Sequence, residues 1–246
     1  MDILGAYRAD TGLLLQDLLR SLPLAAWVLF SIHGLARWSY ERARSRWGEA
    51  VGIYFARKVI HMAAGGLVAL LVPFVFREPW VPFILGLLLA AYVYLPHRTG
   101  RLMTWFQDPG NISEVYYCIS WALAVLVAWP FDVRIAVLPL FLMSFGDGVT
   151  GIIRGIRQRR RVKSWDGTLG FLAVGLPAGL AMLGPVGGLA AAAAALAEKS
   201  GLVDDNISVP LVSLAILLAA YHAGLLPAHG PAVASYMAMH GLHASP

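Results

Sequence analysis

Charge is what this 246-residue chain has least of: Asp, Glu, Lys and Arg make up 13% of it, against 59% hydrophobic residues and a mean hydropathy of +0.67. An ordinary soluble domain of this length is far richer in ions, so water is not the main solvent of this protein. The single cysteine, Cys118, excludes an internal disulfide framework, and with no Cys-x-x-Cys or Cys/His cluster there is no structural zinc motif. Lysine is almost as scarce. None of Lys58, Lys163 and Lys199 follows the glycine pattern of a Walker A loop, so a nucleotide, if bound, is held some other way. The N-terminus lacks a basic stretch followed by a short apolar core and a small-residue cleavage site, and the first helix is expected to serve as the insertion signal. The net charge of +5 does not point to nucleic acid, because no aromatic–basic module accompanies it.

What is present is long apolar runs. A helix crosses the hydrocarbon core with roughly 20 apolar residues. Spans are expected over Leu18–Ala36, Val51–Phe76, Trp80–Pro96, Ile112–Trp129, Ile135–Ile153, Thr168–Leu183, Pro185–Ala197 and Ile207–Leu226. The fold expected is therefore an all-α, polytopic membrane helix bundle of about eight crossings, with seven or nine as alternatives. The seventh span is short and alanine-rich over Ala190–Ala195, as suits a half-span or a helix buried against others. The organisation reads as an N-terminal helix and basic loop over 1–50, a bundle over 51–226 and a tail over 227–246. Fifteen of the nineteen lysines and arginines fall on one side of these spans; Arg8, Arg20, Arg77 and Arg134 fall on the other. Retention of positive charge in the cytoplasm makes the richer side the inner one.

Ionic groups at membrane depth cost several kcal/mol unless they are paired or functional, so the polar clusters on that richer side carry the information. Arg57-Lys58 opens the second span, and Arg57 and His61, four apart on one helix face, are both able to reach phosphate. Asn111 or Ser113 can cap the fourth span, and Glu114 suits its positive end, as a proton acceptor or metal ligand or merely as part of the cap. Phe145-Gly146-Asp147-Gly148 puts a carboxylate inside the fifth span. Gly146, Gly148 and Gly151 formally match GxGxxG, but no strand precedes them, so they are read as permitting close approach of a helix or a nucleotide, beside an Asp147 that can hold Mg²⁺. A basic run from Arg154 to Lys163 leads into Ser164-Trp165-Asp166-Gly167-Thr168, where phosphates fit both the cations and the helix N-terminus. Ser164 or Asp166 can also act as a simple cap. Finally Glu198 and Asp204-Asp205-Asn206 precede the last span and offer more oxygen ligands than capping requires. His222, His229, His240 and His243 sit near the opposite face or in the tail and are expected to be solvated, while Met237 and Met239 suit a loosely packed tail.

Taken together, Arg57-Lys58 with His61, Glu114-Val115-Tyr116-Tyr117, Phe145-Gly146-Asp147-Gly148, Lys163-Ser164-Trp165-Asp166-Gly167-Thr168, and Glu198 with Asp204-Asp205-Asn206-Ile207-Ser208-Val209-Pro210 resemble the polyprenol kinase family, which includes dolichol and phytol kinases and is related to CDP-diglyceride synthetases. The resemblance runs over roughly residues 55–215. Asp166 stands where relatives often carry Glu. The resemblance implies transfer of the γ-phosphoryl group, usually of CTP, to the hydroxyl of an isoprenoid lipid alcohol, with Mg²⁺ as the cation and the site facing the cytoplasm. On that basis Asp147, Asp204, Asp205 and Glu198 are expected to hold metal. Arg57, Lys58, His61, Gly146, Gly148, Lys163, Ser164 and Asn206 are expected to contact the nucleotide, with Asp166, Glu114 and Lys163 in the chemistry. Two alternatives stay open: a cytidylyltransferase, whose usual Lys-Asp…Pro-Gly-His-Gly-Gly signature is absent here, and a transporter using Asp147 as an ion relay.

Overall fold

The computed structural model describes residues 7, 9–159 and 162–226. Among them there is no β-strand, only an isolated bridge between Asp108 and Asn111. Seven helical segments carry the chain: α1 Thr11–Trp47, α2 Glu49–Val75, α3 Trp80–Thr99, α4 Ser113–Ala128, α5 Val133–Gln158, α6 Trp165–Ser200 and α7 Asp205–His222. All but α4 are long and apolar enough to cross a membrane. Leucines at 15, 19, 88, 95, 169 and 211 stand out from the bundle, as surfaces facing hydrocarbon do.

α1 outruns the expected Leu18–Ala36 at both ends. Asp10 caps it, accepting from the N–H groups of Gly12 and Leu13 at 2.8 and 3.0 Å. Its arginine-rich continuation packs back against the start of α2, where Gly52 makes room for Tyr40. At the other end of the bundle the buried Asp17 accepts from the backbone N–H of Arg77 and of Glu78, at 2.8 and 3.1 Å, and pins the turn between α2 and α3.

α6 has 36 residues and would be about 54 Å long if straight. It folds back instead. Leu183 (φ −137°) and Gly184 (φ 60°, ψ −148°) leave helical space, a conformation at Gly184 open in practice to glycine alone. Gly179 and Gly187 then meet backbone to backbone, so closely that a Cβ on either would overlap the other residue's carbonyl. Arg134, on α5, points a guanidinium nitrogen at the carbonyl of Met182, 3.5 Å away, where the first arm runs out of helical partners. The stretches expected as Thr168–Leu183 and Pro185–Ala197 are thus the two arms of one helical hairpin. In the second arm Ala190, Ala191, Ala194 and Ala195 are fully buried while Leu189 and Leu196 face out, so the alanine run is a packing face.

Three helices widen to π geometry, at Ser31–Leu35, Ile60–Gly66 and Leu142–Gly146. Such a turn deprives carbonyls of their regular partners, which is costly without water. At the first two, neighbouring aromatic side chains donate to such carbonyls, and at the third Thr150 Oγ1 donates to Gly146 O at 2.9 Å. Trp105 Nε1 donates to Ile32 O (2.9 Å), Trp27 Nε1 to Ala63 O (2.8 Å), Trp121 Nε1 to Gly65 O (3.2 Å) and Tyr117 Oη to His61 O (3.2 Å). The second and third widened turns pack on each other, and Asp147 follows the third directly.

Candidate functional site

Asp147 from the middle of α5, Glu198 from the last turn of α6 and Asp205 from the first turn of α7 each bring one carboxylate oxygen within 4.8 Å of the other two. Every acid meets a cation. Lys58 Nζ lies 2.6 Å from Asp147 Oδ2, and His61 Nδ1 lies 3.4 Å from the same oxygen. Arg154 takes both oxygens of Glu198, at 2.6 and 3.0 Å. Lys163 Nζ bridges Glu198 (2.7 Å) and Asp205 (2.6 Å). Asp147, Glu198, Arg154 and Lys58 are all buried, so removing one charge would strand its partner in a low-dielectric interior. Three carboxylates with oxygen donors only suit a hard divalent cation such as Mg²⁺.

Glycines shape this cluster by yielding to side chains. Gly151 lies under the Lys58 methylenes and Gly167 under the Arg154 guanidinium, both closer than any Cβ would permit. A Cβ on Gly146 would meet the Phe171 ring at 2.8 Å and one on Gly148 the Met62 side chain at 2.7 Å. These two glycines, expected to admit a helix or a nucleotide, are covered by side chains of neighbouring helices.

A second polar group stands beside the first. Glu114, buried in the first turn of α4, accepts from His97 at 2.7 Å and Gln107 at 3.1 Å, and its other oxygen lies 3.4 Å from Arg57. Gln107 is itself held, donating to Val93 O (2.6 Å) and accepting from Met103 N–H (2.9 Å). Asn111 Oδ1 accepts the Ser113 N–H at 2.7 Å ahead of α4, and Asn206 Nδ2 donates to Ser113 O at 3.0 Å, tying α7 to the same turn.

Two cavities open from here. One, about 350 Å³, is almost wholly apolar and runs among α1, α2, α3 and α4; Arg57, His61 and Glu114 close its polar end, and Ser21, Phe76 and Pro82 line its far end. On α1 and on α3 its lining extends over twelve residues of helix, Ser21 to Ile32 and Pro82 to Val93, a rise of roughly 17 Å, more than half of the hydrocarbon thickness. The other, about 240 Å³, is lined by Tyr54, Arg57, Lys58, Asp108 and Arg159 with small neighbours. Arg57 belongs to both. The first helix, assigned to the expected 1–50 unit, contributes to the lining of the larger cavity.

Several expected residues lie elsewhere. Asp204 is the cap of α7, accepting from Asn206 N–H at 2.9 Å, and only its neighbour Asp205 joins the acids. The direction of the first helical turn separates the two. Asp166 pairs with Arg157 at 2.8 Å, with side chains 44% and 63% exposed, and does not join the acids. Ser164 takes part through its carbonyl, which accepts from Arg154 at 3.2 Å, while its buried hydroxyl makes no hydrogen bond among the described residues. His222 is exposed, in keeping with the expectation of a solvated side chain, and packs edge-on to Phe131, 5.3 Å between centroids. His229, His240, His243, Met237, Met239 and the tail 227–246 lie outside the described residues, as does Arg8. Three participants were not singled out from the sequence: His97, Gln107 and Arg154. Arg154 sits in a basic run that orientation alone explains, and His97 and Gln107 stand singly in the sequence. Comparison with family models, with curated proteins and with solved structures found no match to this chain.

Proposed function

We propose that this protein is a CTP-dependent kinase of the polyprenol kinase type, phosphorylating the hydroxyl of an isoprenoid lipid alcohol. The observation that carries the reading is Arg57, which lines both the long apolar cavity and the basic one, so that a lipid hydroxyl and a polyphosphate would meet at one guanidinium. A hydrocarbon chain fits the first cavity by polarity and length, and the phosphates of a nucleotide fit the second by charge. Eight crossings follow when the arms of α6 are counted separately and α4 spans beside its longer neighbours. The basic end then faces the cytoplasm, where CTP is found.

In this reading Arg57, Lys58 and Lys163 grip the triphosphate. Asp147, Glu198 and Asp205 are the residues that would hold Mg²⁺, which would supply positive charge to offset that of the phosphates. Lys58 and Lys163 exchange carboxylate for phosphate oxygens as the nucleotide arrives. Glu114, at the polar end of the apolar cavity, is better placed than Asp166 to accept the alcohol proton. The apolar wall keeps bulk water away from the transferring group and so disfavours hydrolysis.

The test is direct. Purified protein given CTP labelled at the γ-phosphate, Mg²⁺ and a ladder of prenols should release CDP and a labelled lipid monophosphate. Release of pyrophosphate would establish cytidylyl transfer instead, and no nucleotide consumption with any lipid alcohol would sink the enzyme reading.

A further inference from the structure

We propose that His97 is a positioning residue for the acceptor hydroxyl, orienting Glu114 and carrying away the proton that Glu114 collects; this rests on the kinase reading above. Glu114 Oε1 has two donors of different kinds. Gln107 is locked by Val93 and Met103, and its amide can pin the carboxylate but cannot take a proton from it. His97, at 2.7 Å, can do both. It also lies toward the edge of the bundle, in the last turn of α3 next to the exposed Arg98; its side chain is 8% exposed and that of Glu114, at the polar end of the apolar cavity, 10%. With Oε1 engaged, Oε2 is the oxygen left to meet the alcohol, flanked by Arg57 at 3.4 Å.

The alcohol O–H proton passes to Glu114 as the alcohol oxygen forms its bond to the γ-phosphorus. The bond from that phosphorus to the β,γ-bridging oxygen breaks, and its electron pair leaves with the nucleoside diphosphate. Once the neutral imidazole carries its proton on Nδ1, the proton on Glu114 moves to His97 Nε2, and the imidazolium gives its Nδ1 proton to water, restoring the carboxylate. Without the imidazole the carboxylate keeps its Gln107 contact but loses both its second support and its outlet.

His97→Phe and His97→Gln, compared with the unaltered protein, provide the test. For His97→Phe the expected result is a drop in kcat of about 100-fold, the scale of one general acid–base contribution, with the KM for nucleotide unchanged. His97→Gln restores a donor toward Glu114 but not a proton carrier, so it should recover the KM for alcohol while kcat stays low. Added imidazole should raise turnover in a His97→Ala protein. Nucleotide binding measured by calorimetry certifies that each variant is folded. Wild-type kcat in His97→Phe, or full recovery of kcat in His97→Gln, overturns the proposal and leaves the kinase reading intact. Absence of any lipid phosphorylation by the unaltered protein overturns both.

Discussion

Lys163 Nζ lies 2.7 Å from Glu198 and 2.6 Å from Asp205, bridging carboxylates from two different helices. With Lys58 on Asp147 and Arg154 on Glu198, the three acids meet three cations, and a divalent ion arriving alone finds little net negative charge. Removing the bridging ammonium should expose the acids. Lys163→Gln is expected to bind Mn²⁺ without nucleotide at least tenfold more tightly than the unaltered protein, about 1.4 kcal/mol, as read by electron paramagnetic resonance in detergent. Equal affinities would argue against the acids as a cation site gated by Lys163.

Asp204 and Asp205 should separate cleanly. Asp204→Ala removes a cap hydrogen bond and is expected to cost about 1 kcal/mol of stability, with turnover largely kept. Asp205→Asn leaves the helix start in place but weakens the acid cluster, and turnover should fall by roughly 100-fold or more. A thermal melt and a kinase assay on the two proteins decide the matter; the reverse pattern would move the cluster onto Asp204.

Gly148 tests whether a glycine serves packing or nucleotide. Gly148→Ala sets a methyl 2.7 Å from the Met62 side chain, an overpacking of about 1–3 kcal/mol. Met62→Ala in the same protein should give much of that back, so the two changes should be strongly non-additive in melting temperature. Additive losses, together with a raised KM for nucleotide in Gly148→Ala alone, would return the glycine to the nucleotide.

Glu78 supplies a pH dependence at the opposite end of the bundle. Burial pushes its carboxyl above the ordinary carboxylate range, and the nearby Asp17 and Asp10 add to the shift. Its charged form is therefore a burden in the folded protein, felt in full above the folded pKa and gone once the pH lies below the unfolded one. Glu78→Gln, which can still accept the Asp10 N–H, should melt higher than the unaltered protein at neutral pH. The advantage should shrink as the pH falls to about 4. A difference that holds constant across that range would contradict the assignment.

The helices were legible because apolar length is written along the chain. Even the two arms of α6 could be separated, since Gly184-Pro185 interrupts the apolar run. The lengths were less so: α1 continues as a polar helix beyond Ala36, where hydropathy gives no signal. The acids were visible as charges that membrane depth makes expensive. Which of Asp204 and Asp205 turns inward depends on one residue of helical phase, and pattern reading does not resolve boundaries that finely. Asp166 stood out through its motif, yet the structure gives it an exposed partner, Arg157. His97 and Gln107 acquire meaning only through Glu114, a neighbour in space that nothing in their own stretches of sequence announces.

The two-residue break at Leu183–Gly184 turns the second arm back toward charges made earlier in the chain. Synthesis delivers Lys58, Asp147 and Arg154 to the bilayer before Glu198 and Asp205 exist, so Arg154 must wait for its counter-ion until the ribosome has finished the second arm. A chain stalled before Gly184 lacks the Glu198 carboxylate that takes both arms of this guanidinium. The arms, joined so tightly, have every electrostatic reason to leave the translocation machinery as a pair.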